Sequence, residues 1–203
     1  MEKREGNQVT VIAVYGSSCT GKSTLVNHIV EHSEIKPTIV SQDSYYYSGS
    51  KDTNFDVPES IDFPLLVSHL KSLIKGETVE SPVYCFKKHR RLEETKTLKP
   101  SKVIIVEGTL ILTQQAVREL CTIKVYISAF PELLFSRRLK RDVEERGRTI
   151  DEVTTRYLRD VVNSNIFHVE PSQNHADIVL KNNIEGKFIG LNILLAYLHT
   201  LHI

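Results

Sequence analysis

An α/β fold built on a central parallel sheet is the fold class this sequence predicts, and three observations point to it. Short, uninterrupted apolar runs rich in β-branched residues recur along the chain, as in strands buried on both faces. Segments of helical period separate them, as the crossovers of a parallel sheet require. The first run also leads through a glycine-rich loop, "GSSCTGKST", into one of those helical segments. The 203 residues suit a single domain, 1–203, with a core large enough to fold alone.

In chain order, "VTVIAVY" is the first buried strand. Leu25, Val26, Ile29 and Val30 then repeat on one helical face. "PTIVSQ" is the second strand. Asp62 takes the N-cap of a helix that tolerates Pro64 in its first turn. Leu66, Leu70, Leu73 and Ile74 form the inner stripe of that helix, and Gly76 stops it. "TVESPVYCF" and "RLEETKTL" are two extended pieces joined across "KKHR", a hairpin inserted at about 78–98. "VIIVEG", Val103 to Gly108, and "IKVYIS" are further buried strands. Pro131 opens a long helix towards Glu145. Thr149 caps the next helix, with Asp151 and Glu152 in its acidic first turn and Ile150, Val153, Tyr157, Val161 and Val162 on its buried face. "ADIVL" is a late strand, and Ile184 to His202 a closing helix.

Composition narrows the function classes. Apolar residues make up 40% and charged residues 25%, an ordinary soluble balance. The net charge of +1 supplies no global field to draw the chain onto nucleic acid or an acidic membrane. The N-terminal "MEKREGNQ" has no apolar signal-peptide core behind it, and the seven residues of "VTVIAVY" cannot span a bilayer. Cys19, Cys85 and Cys121 share no paired spacing, so neither a disulfide framework nor a zinc site is expected. A cytoplasmic protein without nucleic-acid or membrane partners is the expectation.

The loop carries the chemistry. Gly16, Gly21, Lys22 and Ser23 fit G-x-x-x-x-G-K-[ST] between a strand and a helix, the setting in which that pattern cradles phosphates. Backbone N–H groups along Gly16, Ser17, Ser18, Cys19, Thr20, Gly21, Lys22, Ser23 and Thr24 are the candidate cradle. Lys22 suits the β- and γ-phosphate oxygens, and the Ser23 hydroxyl suits Mg²⁺. Glu107, at the end of "VIIVEG", is the candidate second metal ligand, directly or through water.

What receives the phosphate is a separate question. The chain has no Asn-Lys-x-Asp guanine reader, no Asp-x-x-Gly sensor and no Leu-Ser-Gly-Gly signature. A kinase of small molecules is therefore expected. Asp43 follows a strand and should project at the carboxyl edge of the sheet, where it can accept a hydroxyl proton. "RRLKRDVEERGR" gathers Arg137, Arg138, Arg141, Arg146 and Arg148 into a cationic cover, a lid at about 137–150. On a solvated helix, Asp142, Glu144 and Glu145 would simply balance those charges.

"SQDSYYY", "NFDVPESID", "PVYCFKKHRRLEET", "VIIVEG", "RRLKRDVEERGR" and "EPSQNHADIV" come in the order, and near the spacing, of the uridine kinase (uridine–cytidine kinase) family. With the loop, the resemblance runs from about Val9 to the C-terminal helix. It implies a three-layer P-loop NTPase fold, with the hairpin over a nucleoside site and an Arg-rich lid. It further implies transfer of the γ-phosphate of ATP or GTP, with Mg²⁺, to the 5′-hydroxyl of uridine or cytidine in pyrimidine salvage. Carried over residue by residue, Asp43 resembles the catalytic base, and Asp56 with Arg138 the pair that binds the ribose hydroxyls. Tyr46, Phe55, Tyr84, Phe86, His89 and Arg148 resemble the base pocket. Arg141 and Arg146 resemble lid residues that meet the transferring phosphate. The family also implies a homotetramer. Three positions depart from its pattern: Val57 replaces a His, Cys85 an acidic residue, and Arg156, near the ribose, a Gln.

Overall fold

The computed structural model describes residues 9–34, 36–201 and 203. The charged stretch 1–8 and His202, the expected end of the closing helix, lie outside them. The strands are β1 (Thr10–Tyr15), β2 (Thr38–Ser41), β3 (Val79–Cys85), β4 (Arg90–Leu98), β5 (Val103–Gly108), β6 (Ile123–Ser128), β7 (Ile178–Asn182) and β8 (Phe188–Ile189). The helices are α1 (Lys22–His32), α2 (Phe63–Ile74), α3 (Gln115–Arg118), α4 (Pro131–Glu144), α5 (Ile150–Arg156), α6 (Val162–Ser164), α7 (Glu170–Ser172) and α8 (Leu191–Thr200).

Six strands form one sheet in the order β2-β5-β1-β6-β7-β8. All its pairings are parallel except the last, β7 with β8. Because side chains alternate along a strand, β1 feeds two cores. Val11, Ala13 and Tyr15 join Val40, Leu66, Leu70 and Ile104 on one face. Ile12 and Val14 join Leu25, Ile29, Ile105 and Leu194 on the other. The result is three layers, helix on sheet on helix. Among the described residues, no helix is long and apolar enough to cross a membrane.

Local signals act as the sequence implies. Asp62 accepts from the Leu65 N–H at 3.1 Å, capping α2, and Gly76 takes φ 87° beyond its end. Thr149 caps α5 by accepting from the Glu152 N–H at 3.1 Å. Strands β3 and β4 pair antiparallel as a separate hairpin, with a register shift between Pro82 and Tyr84. Such a bulge re-aims the side chains beyond it.

Two expectations need correction. The closing helix does not start at Ile184, which is 76% exposed in a turn. Gly186 and Gly190 adopt φ 80° and 89°, left-handed backbone that interrupts a helix. Between them β8 folds back on β7, and α8 begins only at Leu191. Ile150 is not on a buried face either: it opens α5 and is 64% exposed, and burial starts at Val153. Beyond α5 the helical path passes through two π-turns, Tyr157–Val161 and Asn165–Val169, each of which rotates the faces that a uniform helical period assigns.

Candidate active site

The parallel register brings the carboxyl ends of three strands together. Val14 lies beside Glu107, and Glu107 beside Ser41. The loop after β1, the turn after β2 and the end of β5 therefore share one edge, where ligands of open α/β sheets bind.

The glycine-rich loop is held from below. Thr20 Oγ1 donates to the Ser17 carbonyl at 2.9 Å, and Asn182 Nδ2 donates to the Thr20 carbonyl at 2.8 Å. A Cβ on Gly21 would fall 2.7 Å from Asn182 Nδ2, and its φ is 96°; only glycine suits both the space and the backbone. Lys22 Nζ donates to the Gly16 and Ser17 carbonyls, each at 3.0 Å, and to Thr109 Oγ1 at 3.3 Å. Burial lowers its proton affinity, against the nearby carboxylates of Glu107 and Asp43. Ser23 and Thr24 are exposed at the start of α1.

Two carboxylates face this lysine. Ser41 Oγ donates to Glu107 Oε1. Burial, then the neighbouring Asp43, raise the Glu107 pKa, while Lys22 and the Ser41 hydroxyl oppose them. Asp43 is exposed, in a 3₁₀ turn (Gln42–Tyr45) directly after β2. Gln42 anchors that turn, its side-chain carbonyl accepting from the Leu110 N–H at 2.7 Å. Arg91 on β4 anchors it again, donating to the Tyr45 and Tyr46 carbonyls at 2.8 and 2.9 Å and pairing with Asp62 at 3.1 Å.

Aromatic side chains from three segments meet beyond Asp43. Tyr46 lies 5.8 Å from Phe55, 5.4 Å from Tyr84 and 6.2 Å from Phe86, between ring centroids. Phe55 stacks on His89 at 5.4 Å and 8°. Burial, then Arg156 and Arg148, hold His89 below the ordinary histidine range. At the mouth of this box, Arg138 reaches Asp56 at 3.5 Å.

Arginines of α4 and the following turn cover the loop and the box. They converge on Asp142, which is fully buried. Arg141 meets its carboxylate at 2.8 Å, Arg148 at 2.9 Å, Arg146 at 3.4 Å and Arg138 at 3.7 Å. Burial raises the Asp142 pKa, but Arg146, Arg141 and Arg138 prevail and hold it low. Arg156 pairs with Glu152 at 3.3 Å and donates to the Lys51 carbonyl.

One cavity of about 570 Å³ joins these parts. Every site residue expected from the sequence lines it except Gly16, Ser17 and Thr20, which form the floor of the loop. Arg137 of the expected cationic cover lines it too, and the structure adds Thr109, Glu145, Asp160, Asn182 and Gly186. Arg137 touches the Cys19 and Asn183 carbonyls, each at 3.4 Å. Asn182 closes a late strand, and nothing in its local sequence marks it. Asp142, read from sequence as one of several balancing surface acids, instead sits beneath the arginines.

Comparison with known proteins gives these residues a setting. The family described as "Phosphoribulokinase / Uridine kinase family" matches residues 11–186. A uridine kinase of Clostridium botulinum (strain Kyoto / Type A2) is 40% identical over 178 residues, covering 84% of this chain and 86% of that one. A uridine kinase of Vibrio atlanticus (strain LGP32) is 35% identical over 211 residues, covering 97% and 98%. The solved structure of phosphoribulokinase from Rhodobacter spheroides superposes with a TM-score of 0.64 at 12% identity, covering 88% of this chain and 71% of that one; it bears on the fold alone.

Proposed function

The chain belongs to the phosphoribulokinase/uridine kinase family and is a kinase, and from that premise we propose that it transfers the γ-phosphate of ATP or GTP to the 5′-hydroxyl of uridine and cytidine. The observation that carries this reading is the single cavity running from the phosphate loop, past Asp43, to the aromatic box. A phosphate donor fits one end and a planar base the other, which leaves a ribose at the Asp56–Arg138 pair between them.

Asp43 takes the proton of the 5′-hydroxyl as its oxygen bonds to the γ-phosphorus. The bond from that phosphorus to the β-bridging oxygen breaks, and the nucleoside diphosphate leaves with the electron pair. Lys22, Arg141 and Arg146 neutralise the charge that spreads over the transferring group. Asp56 accepts from the ribose hydroxyls and Arg138 donates to them. Tyr46, Phe55, Tyr84 and Phe86 wall the base, and His89 with Arg148 meets its polar edge. Arg156, held by Glu152 and the Lys51 carbonyl, braces the ribose end.

The residues present fit a Mg²⁺ ion arriving with the nucleotide. Ser23 and Glu107 line the cavity beside the loop, and burial together with Asp43 makes Glu107 costly to ionise, which a dication offsets. Ser23 and Glu107 would hold the ion there, and it would draw off negative charge developing on the transferring phosphate. A single domain, assembly as a homotetramer and a cytoplasmic role in pyrimidine salvage belong to the same proposal.

A nucleoside panel with ATP and Mg²⁺, read by product mass, is the test. UMP and CMP are expected. A purine nucleoside as the better acceptor would overturn the pyrimidine assignment. So would phosphoribulose, which has no base for the aromatic walls to hold.

A further inference from the structure

Asp142 has no direct role in the transfer just described, yet more charged groups converge on it than on any other described residue of the lid. Its carboxylate is fully buried and does not line the cavity. Three carboxylates, Asp142, Asp56 and Glu152, face four guanidinium groups here: Arg138, Arg141, Arg146 and Arg148. Arg141 is the most fully engaged, with Nη2 at 2.8 Å and Nε donating at 2.9 Å to the same oxygen. Arg146 reaches that oxygen at 3.4 Å. Arg138 Nε, at 3.7 Å, is too distant for a hydrogen bond and is buried without a partner among the described residues. Arg141 and Arg146 thus share one acceptor, and both line the cavity.

We propose that Asp142 is the internal counter-anion of the phosphate clamp, a positioning residue that sets the lid arginines in place and limits how tightly they hold the departing diphosphate. Like-charged guanidinium groups packed this closely repel one another without an anion between them. A phosphate entering from the loop competes with Asp142 for Arg141 and Arg146 rather than finding them unopposed. The same competition returns those arginines to Asp142 when the diphosphate leaves. This rests on the donor-site reading given above.

The sign of the effect separates this role from simple bracing. In Asp142→Asn, ADP should bind about tenfold more tightly, measured by calorimetry without nucleoside, because one opposing charge is gone. Both kcat and KM for ATP should fall together, with release of ADP limiting turnover. A residue that only braces the lid would give weaker ADP binding and a lower kcat/KM, and that result overturns the proposal. The double variant Asp142→Asn with Arg148→Gln removes one charge of each sign. It should bind ADP within about threefold of wild type, whether or not the single variant folds. Affinity shifted more than about threefold in the double variant also overturns the proposal. Wild-type protein that fails to bind ADP defeats the donor-site reading and the proposal with it. Wild type that binds, beside a folded single variant that does not tighten, defeats the proposal alone.

Discussion

The guanidinium carbon of Arg146 lies 4.1 Å from the centroid of the Phe86 ring, so the arginine segment rests on the hairpin that contributes to the aromatic box. Under the proposed function, a base in the box and a phosphate met by Arg146 would share that contact. Phe86→Leu keeps apolar bulk but removes the ring face. A cation–π contact contributes about 0.5–2 kcal/mol, so kcat/KM for uridine should fall roughly 2- to 30-fold. Steady-state kinetics on a variant with wild-type melting temperature checks this. An unchanged kcat/KM would show that the contact carries nothing across.

Much of this arrangement is legible in the sequence because its signals are local. The strands Val103–Gly108 and Ile123–Ser128 match their apolar runs residue for residue, since a buried parallel strand has no polar alternation to blur its ends. Asp62 and Thr149 cap the helices expected of them. Most of the misses are non-local. Nothing in the spacing of Asp142 distinguishes a surface i,i+4 ion pair from a buried hub; the packing of α4 against α5 decides it. The π-turns that rotate the faces after Arg156 carry no proline or glycine to announce them. Gly186 and Gly190 mark the turn of β7 into β8 within the stretch expected as helix from Ile184, a local signal against that expectation.

Lys22→Ala should abolish transfer without unfolding the chain. Its amine is held by two loop carbonyls and Thr109, contacts whose loss leaves both cores untouched. Activity at background, with a melting temperature within a few degrees of wild type, is the expected pair of results. Near-normal turnover by the folded variant would remove Lys22 from the phosphate site.

Asp43→Asn keeps the size of the side chain and removes the proton acceptor. General bases contribute typically about 10²–10⁴-fold, so kcat should fall within that range while KM for the nucleoside holds. Asp43 also raises the Glu107 pKa, so this variant should leave Glu107 easier to ionise. A change confined to KM would make Asp43 a binding residue instead.

Tyr84 offers a test in which stability and activity move oppositely. Its hydroxyl is buried with no hydrogen-bond partner among the described residues, and burial pushes its pKa up to about 12. An unsatisfied buried hydroxyl costs about 1–3 kcal/mol. Tyr84→Phe should therefore melt higher than wild type, by about 2–4 °C for each kcal/mol recovered. If a bound nucleoside supplies the missing partner, KM for uridine rises in the same variant. A lower melting temperature would mean that the hydroxyl is satisfied in solution.

His89 carries the prediction that reaches both base selectivity and pH. It stacks on Phe55, and burial, Arg156 and Arg148 depress its pKa below 6.5, so the ring is neutral at pH 7. A neutral imidazole can donate to the 4-carbonyl of uridine or, by changing tautomer, accept from the 4-amine of cytidine. Both should be substrates, whereas adenosine and guanosine, with two-ring bases, should be poor acceptors if Tyr46, Tyr84 and Phe86 wall the base. His89→Ala should lower kcat/KM for both pyrimidines by about 1–3 kcal/mol, roughly 5- to 150-fold, where a polar edge is left unpaired. The pH dependence has a definite sign. With the folded-state pKa depressed, the unfolded chain binds more protons as pH falls through 6.5, so stability contributed above that value is lost on acidification. Pyrimidine kcat/KM should likewise stay level down through pH 6.5 and decline only at more acidic values, where the ring charges beside Arg148 and Arg156. His89→Ala should lose that component of both profiles. Measuring four ribonucleosides across this range on wild type and variant decides the matter: an inflection at or above 6.5, or a wild-type preference for a purine, removes His89 from the base edge.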